Sequence, residues 1–422
     1  MKLIERFKKS SFARNVAKLA SGTILAQAIS ILTAPILYRI YDKEAYGTLG
    51  VYMAVTGVLA PLMTGQFFHG VLLEKKDDNA LGLANILTKL NLLVGILIAG
   101  PCIIASSKLA HYLNNPAIEP WLWFVPASFI VGGRVEVLKT WANRHQDYNI
   151  LTLFVIGSAV IIPIGSISFA AITEGATGLF VGLFLGQSLP WLGLEYTYIR
   201  KQAKLPQPTY QSLSKRLTHH FDFFRFTLPA EFLNRLIQQL PVFILSALAG
   251  PAIVGVFNLT IRMLGLPIQI VATSVTEVFR QKATTLYKTT GNCSALLRST
   301  TKGLSLLISP ALLTIIVFGP DLFGIAFGDN WTEAGEFARI LAIPFSLKFV
   351  VSPLSYMFMI ANRQRLDLLL HILSLGLFAG LMVVGHQLAS TTGMIAGYGL
   401  TMTVIYILYG YVSIQLARGH ES

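Results

Sequence analysis

Apolar residues run along this chain in long blocks, each closed by a short break of polar, glycine or proline residues. The blocks reach the length of about twenty residues that an α-helix needs to cross a bilayer core. They predict twelve membrane helices, at roughly 16–38, 46–73, 80–105, 118–142, 149–172, 176–199, 226–249, 252–279, 299–318, 333–360, 367–387 and 392–416. The longest polar break, RKQAKLPQPTYQSLSKRLTHHFD at 200–222, follows the sixth block and divides the spans into two halves of six. YGTLGVYMAVTG (46–57) sets Gly47 and Gly57 ten apart, and VGVFNLTIRMLG (254–265) repeats the spacing with Gly255 and Gly265. Six is even, so the halves are expected to share one topology, as parallel repeats that place a substrate site at their interface. The predicted fold is all-α and polytopic. Its parts are a basic amphipathic segment (1–14), an N-terminal lobe (15–199), a basic linker (200–225) and a C-terminal lobe (226–422).

Composition agrees: hydrophobic residues make up 54% of the 422 and charged residues 13%, against about 25% charged in a soluble domain. The net charge of +13 is not spread evenly. Lys75, Lys76, Lys139, Arg144, the linker and Arg280, Lys282 and Lys288 fall on one side of the predicted membrane, whereas Arg39, Lys43 and Lys108 fall on the other. Basic short loops stay in the cytoplasm, so both termini are expected there, and nucleic acid is excluded as a partner. MKLIERFKKSSFARNVAK mixes Leu3, Ile4 and Phe7 with six basic residues and shows no cleavable signal. It is expected to lie on the membrane surface. Cys102 and Cys293 fall on opposite sides and cannot pair. With no phosphate loop, HExxH or cysteine–histidine cluster, neither ATP hydrolysis, metal nor cofactor is predicted. His219 and His220 read as solvated linker residues, and short outer loops argue against an enzyme.

The chemistry lies in charges left inside spans: Lys89, Arg134, Arg235, Arg262, Arg339 and Lys348. Each costs about 2.5–3.5 kcal/mol at a helix centre on insertion scales, so each is expected to face protein or water. Glu231, Asn234, Arg235 and Gln238 form one stripe of the seventh helix. Asn258, Arg262, Gln269, Thr273 and Thr276 line the eighth, and Lys348, Ser352 and Ser355 the tenth. Two readings stand for each cation, a packing ion pair or an open site for an anion. For Arg235 the pair would be with Glu231, one turn N-terminal. Arg339 beside Glu336 reads as a packing pair, and Glu136 projects toward Lys139 and Thr140. The substrate-binding candidates are therefore Arg235, Arg262, Lys348 and Arg134, and a guanidinium fork suits phosphate. Glu231, then Glu136, are the candidates for coupling to a proton or sodium gradient. Pro35, Pro61, Pro241, Pro267, Pro310 and Pro344 are expected to bend their spans.

With these residues placed, the chain resembles the Wzx-type polysaccharide flippases, within the multidrug/oligosaccharidyl-lipid/polysaccharide exporter superfamily. KLASGTILAQAISILTAPILYRIY, EAYGTLGVYMAVTGVLA, WANRHQDYN and GLFVGLFLGQ carry the resemblance in the first half. QQLPVFILSALAGPAIVGVFNLTIRMLGLP, FGPDLFGIAFGDNWTEAGEFARIL and SPLSYMFMIANRQ carry it in the second. The resemblance implies two six-helix lobes around a central cavity with alternating access. It also implies a bacterial inner-membrane location, an undecaprenyl-pyrophosphate-linked oligosaccharide as substrate, and a glycan polymerase and assembly proteins as partners. Arg262 falls in RMLGLP, matching the family's R-x-L-x-L-P. Relatives often carry Arg-Tyr-Glu near the end of the second helix, where this chain has Gln66 and Phe68, so no role transfers there. The rival readings are a multidrug exporter, which would favour acidic cavity residues, and a membrane glycan polymerase.

Overall fold

The computed structural model describes residues 11–203 and 217–419, apart from the side chains of residues 11–20, 270, 273 and 274. Residues 1–10 of the amphipathic segment and 204–216 of the linker lie outside the described residues. The described residues contain helices and no strand, and they belong to two compact units, Met1–Gln239 and Leu240–Ser422.

The first unit contains α1 (Ser11–Ile40), α2 (Lys43–Leu59), α3 (Phe68–Leu73), α4 (Asp77–Ile104), α5 (Ser106–Tyr112) and α6 (Glu119–Leu122). It continues with α7 (Val125–Arg144), α8 (Tyr148–Ala170) and α9 (Thr177–Gln202). α10 (Leu228–Ala249) begins in it and crosses the boundary. The second unit holds α11 (Pro251–Pro267), α12 (Thr273–Thr290), α13 (Ser294–Phe327), α14 (Thr332–Val351), α15 (Met357–Ile360) and α16 (Gln364–Ala417). Among the described residues, eight helices, or up to ten if two bent pairs each count as one span, are long and apolar enough to cross a membrane. Leu32 (73% exposed), Ile104 (83%), Leu306 (77%) and Ile325 (76%) present bare aliphatic surface suited to lipid tails. The chain is an all-α, multi-pass membrane protein.

Local chemistry sets the helix ends. The Asp42 carboxylate accepts from the Ala45 N–H at 2.7 Å and starts α2. Gly250, at φ 83°, separates α10 from α11 in a conformation costly for any residue with a Cβ. Small residues allow close packing between α8 and α9. A Cβ on Gly182 would lie 2.5 Å from the Ile162 carbonyl oxygen and 2.7 Å from the Ser166 nitrogen. In membranes such approach, rather than hydrophobic collapse, drives helix association. Tyr41 adds a hydrogen bond to the Ser166 carbonyl at 2.7 Å.

Five expected helices differ from the prediction; the fourth, 118–142, bends by 53° between Leu122 and Val125. The second, 46–73, breaks after Leu59 into a 3-10 turn at Ala60–Met63 and the short α3, because Pro61 removes a donor and Gly65 and Gln66 turn left-handed (φ 57° and 63°). The eighth, 252–279, is divided by a π segment at Ile268–Ala272 just after Pro267. The ninth is longer, Ser294–Phe327, and the tenth bends by 46° between Val351 and Leu354. α16 has 54 residues, about 80 Å at 1.5 Å each, far beyond a bilayer core of about 30 Å. It is interrupted at Ala389 and Ser390 (φ −147° and 52°), where the chain turns back and the Gly385 and Gly393 backbones abut. Pro35, Pro241, Pro310 and Pro344 sit inside uninterrupted helices.

Both cysteines are free thiols. Cys293 is 2% exposed, with its sulfur 3.5 Å from Met357 Sδ, and burial pushes its thiol pKa up. A hydrophilic maleimide should therefore label Cys293 in the folded chain many-fold more slowly than after denaturation, as mass spectrometry of the peptide would show; equal rates would contradict the packing.

Candidate functional site

Each unit contributes its own part of the predicted constellation. α10 carries the first stripe as an unbroken helix. Gln238 donates its amide to Asn234 Oδ1 at 3.1 Å. Arg235 is exposed, and Glu231 is half-buried. The expected Glu231–Arg235 ion pair is not formed among the described residues, although the spacing permits one.

In the second unit Arg262 stands exposed on α11, with Asn258 one turn before it. The predicted stripe does not continue unbroken to Thr276. The π segment widens one turn, and 269 onward is rotated relative to 262. The Thr276 hydroxyl is turned back on its own helix, donating to the Ala272 carbonyl at 2.6 Å; the Thr273 side chain lies outside the description. On α14, the Lys348 ammonium is 5.5 Å from the Phe345 ring centroid, a cation–π contact. Ser355 lies beyond the bend and donates to the Ser352 carbonyl at 2.8 Å, so it does not share a straight face with Lys348.

Arg134 behaves differently. Its Nε and Nη2 meet both oxygens of Glu195 on α9 at 2.9 and 2.5 Å, and Nη1 donates to Thr88 Oγ1 at 2.7 Å. Trp191 Nε1 donates to the same carboxylate at 3.2 Å, and the guanidinium lies 4.6 Å from the Tyr198 ring centroid. This cation, expected among the open ones, is neutralised inside a network that joins α4, α7 and α9. Glu195 was missed because attention rested on acids within a turn of each cation, and this one is 61 positions away. The signal was present in the sequence: a carboxylate inside the sixth predicted span. Glu136 makes a half-exposed pair with Lys139 at 3.5 Å, the direction expected of it. Arg339 bonds Glu336 at 3.3 Å and the Val317 carbonyl at 2.8 Å, as a packing residue.

His220 departs from the solvated reading. It is 7% exposed, its Nε2 lies 3.2 Å from Glu74 Oε1, and its ring packs against Gly70 and Phe223. Nearby, Arg144 donates to the carbonyls of Val71 and Glu74 at 2.9 and 2.7 Å and pairs with Asp77 at 2.9 Å. Lys201 pairs with Asp147. Among the described residues no group of three or more histidine, cysteine or carboxylate side chains is placed to hold a metal ion.

The helical layout defines the fold first. It matches an inward-facing multidrug resistance MATE family transporter of the MOP superfamily with TM-score 0.73 and 16% identity, over 93% of this chain and 98% of that one. It matches the lipid II flippase MurJ, in an inward closed conformation, with TM-score 0.75 and 12% identity, over 94% and 87%. At such identities the likeness is one of fold. The sequence supplies the family: residues 36–336 match the family described as polysaccharide biosynthesis protein, and the chain belongs to it. It is 20% identical over 411 residues to the lipopolysaccharide biosynthesis protein WzxC of Escherichia coli K12, spanning 95% of this chain and 80% of the relative. It is 21% identical over 367 residues to the teichuronic acid biosynthesis protein TuaB of Bacillus subtilis 168, spanning 86% and 72%. The resemblance drawn from the sequence motifs stands.

Proposed function

We propose that this protein is a flippase that carries an undecaprenyl-pyrophosphate-linked oligosaccharide across the bacterial inner membrane by alternating access, without catalysing a reaction. In this reading the chain makes twelve spans, with α16 supplying two, and the basic loops and both termini face the cytoplasm. The glycan passes through a hydrophilic path while its lipid tail stays in the bilayer, and a polymerase and assembly proteins take it up outside. Arg235, Arg262 and Lys348 receive the pyrophosphate or acidic sugars. Arg134, already neutralised, serves as a tie between helices. Glu231, a carboxylate with no ion-pair partner among the described residues, is the group that takes a coupling proton or sodium ion.

The observation that carries the reading is Arg235. It is an exposed guanidinium on a membrane-length helix that makes no ion pair among the described residues, although a carboxylate lies one turn away. A charge kept at that cost marks a substrate or ion path.

The test is uptake of a defined lipid-linked oligosaccharide into sealed vesicles holding the purified chain. Transport is expected, with Arg235→Ala reducing it by about ten-fold or more, the loss of one charge-assisted contact. Glu231→Gln is expected to flatten the response to an imposed pH or sodium gradient. Vesicles that move no glycan lipid would overturn the proposal, and unchanged uptake in Arg235→Ala would remove that residue from the site.

A further inference from the structure

Within the first unit, α2, α7, α8 and α9 line a half-open cavity of about 310 Å³, at the small end of the range of about 300–1,000 Å³ typical of small-molecule sites. Part of its lining comes from YGTLGVYMAVTG and the end of GLFVGLFLGQ, stretches to which the flippase reading gives no chemistry, and part from α7. No aspartate, glutamate, lysine, arginine or histidine lines it. An anion finds no counter-charge there, and neither does a cation.

The cavity is nevertheless not inert. Gln187 makes no hydrogen bond among the described residues, and its amide atoms are not sealed in protein. Its amide is therefore open to a ligand in the cavity, with two N–H donors and one carbonyl acceptor to offer. Tyr52 Oη and Ser128 Oγ share a single hydrogen bond of 2.6 Å, so one of their two protons remains free to donate. Thr56 donates back to the Tyr52 carbonyl at 3.1 Å, leaving its lone pairs to accept. At the rim a second amide, Gln239, comes within 3.6 Å of where a Gly57 side chain would begin. It too has no hydrogen bond among the described residues. Between these groups lie the apolar surfaces of Met53, Met63 and Phe154. The aromatic anchor is held firm: Tyr52 packs edge-on against Phe180 at 5.0 Å, and Phe180 stacks on Trp121 at 3.8 Å.

Paired donors and acceptors without charge, set among apolar faces, complement one kind of ligand. Each hydroxyl of a sugar both donates and accepts, and the ring presents C–H faces between them. An isoprenoid tail would leave Gln187 unsatisfied, and a pyrophosphate would meet no cation. We infer that this cavity binds one uncharged sugar residue of the translocated glycan, with Gln187 as its specificity-determining contact. The inference rests on the flippase reading for the origin of the sugar, but the cavity chemistry can be tested separately.

The experiment is saturation-transfer NMR on the purified full-length chain in detergent. Methyl glucoside, methyl galactoside and methyl N-acetylglucosaminide are the neutral probes, with methyl glucuronide and farnesyl pyrophosphate as charged and isoprenoid controls. At least one neutral glycoside is expected to bind at millimolar concentration and the controls not to compete. Gln187→Leu should weaken that binding by about ten-fold, as loss of paired amide contacts implies. Met53→Trp, at a half-exposed position, fills the space without disturbing buried packing and should abolish binding. Failure of every neutral glycoside, binding indifferent to both variants, or displacement by farnesyl pyrophosphate would each overturn the inference. Vesicle transport separates the two claims. Transport with glycoside binding insensitive to both variants sinks the pocket alone. Gln187-dependent binding in a chain that moves no glycan lipid sinks the flippase reading alone.

Discussion

Glu195→Ala is expected to destabilise the first unit by about 3–5 kcal/mol, the cost of leaving one partner of a buried ion pair uncompensated. The side chains of Arg134 and Glu195 are only 13% and 22% exposed, so solvent screens the lost interaction little. The carboxylate also accepts from Trp191, and Arg134 lies against Tyr198, which donates to Asn85 Oδ1 at 2.7 Å. Removing Glu195 therefore loosens α4, α7 and α9 together. Replacing both members with apolar residues, Arg134→Met with Glu195→Leu, is expected to recover most of the loss, because buried pairs often exchange for hydrophobic contact at little net cost. Fluorescence-detected unfolding of the purified chain would follow both variants. A single variant as stable as the parent would show that the network is incidental. Recovery of stability together with full transport in the double variant would place Arg134 outside the substrate path. Recovery without transport would return it there.

Gly182→Val should be nearly as damaging, by about 3 kcal/mol or more, since overpacking a tight contact commonly costs 1–3 kcal/mol. The neighbours at Gly182 are the Ser166 hydroxyl and, behind it, backbone atoms of Ile162 and Ser166, and the Gly165 side of the contact faces the Gly182 Cα at 2.9 Å. Backbone cannot rotate out of the way as a side chain can, so α8 and α9 must separate. Gly303→Ala in α13 is the control. Nothing lies within 4 Å of its would-be Cβ, and helix propensity alone predicts a gain of up to about 1 kcal/mol. If both substitutions change the unfolding midpoint alike, close approach of α8 and α9 is not what holds that pair.

Runs of apolar residues revealed most helices to within a few positions, because lipid demands length and little else. Interruptions were harder to read. The left-handed pair at Gly65 and Gln66 has a glycine to announce it but a glutamine to complete it, and the π segment after Pro267 leaves hydropathy unchanged. Such breaks change which residues share a face, so Thr276 and Ser355 were placed on stripes that they do not extend. Partners distant in the chain were the other blind spot. Arg339 and Glu136 meet neighbours one turn away, as local spacing foretold. Arg134 and His220 meet acids 61 and 146 positions off, and only folding brings those together. Spacing along one helix reveals possible contacts within it, and says nothing of what the next helix brings.

The boundary between the compact units falls at Gln239 and Leu240, midway along α10, and not in the polar stretch that separates the two sets of blocks. His220, seated on Gly70 beside Glu74, already belongs to what precedes it. Splitting the gene at residues 204–216 would therefore not yield two self-sufficient pieces. The downstream product would carry off His220 and the residues through Gln239, and the upstream product would lack the ring seated on Gly70.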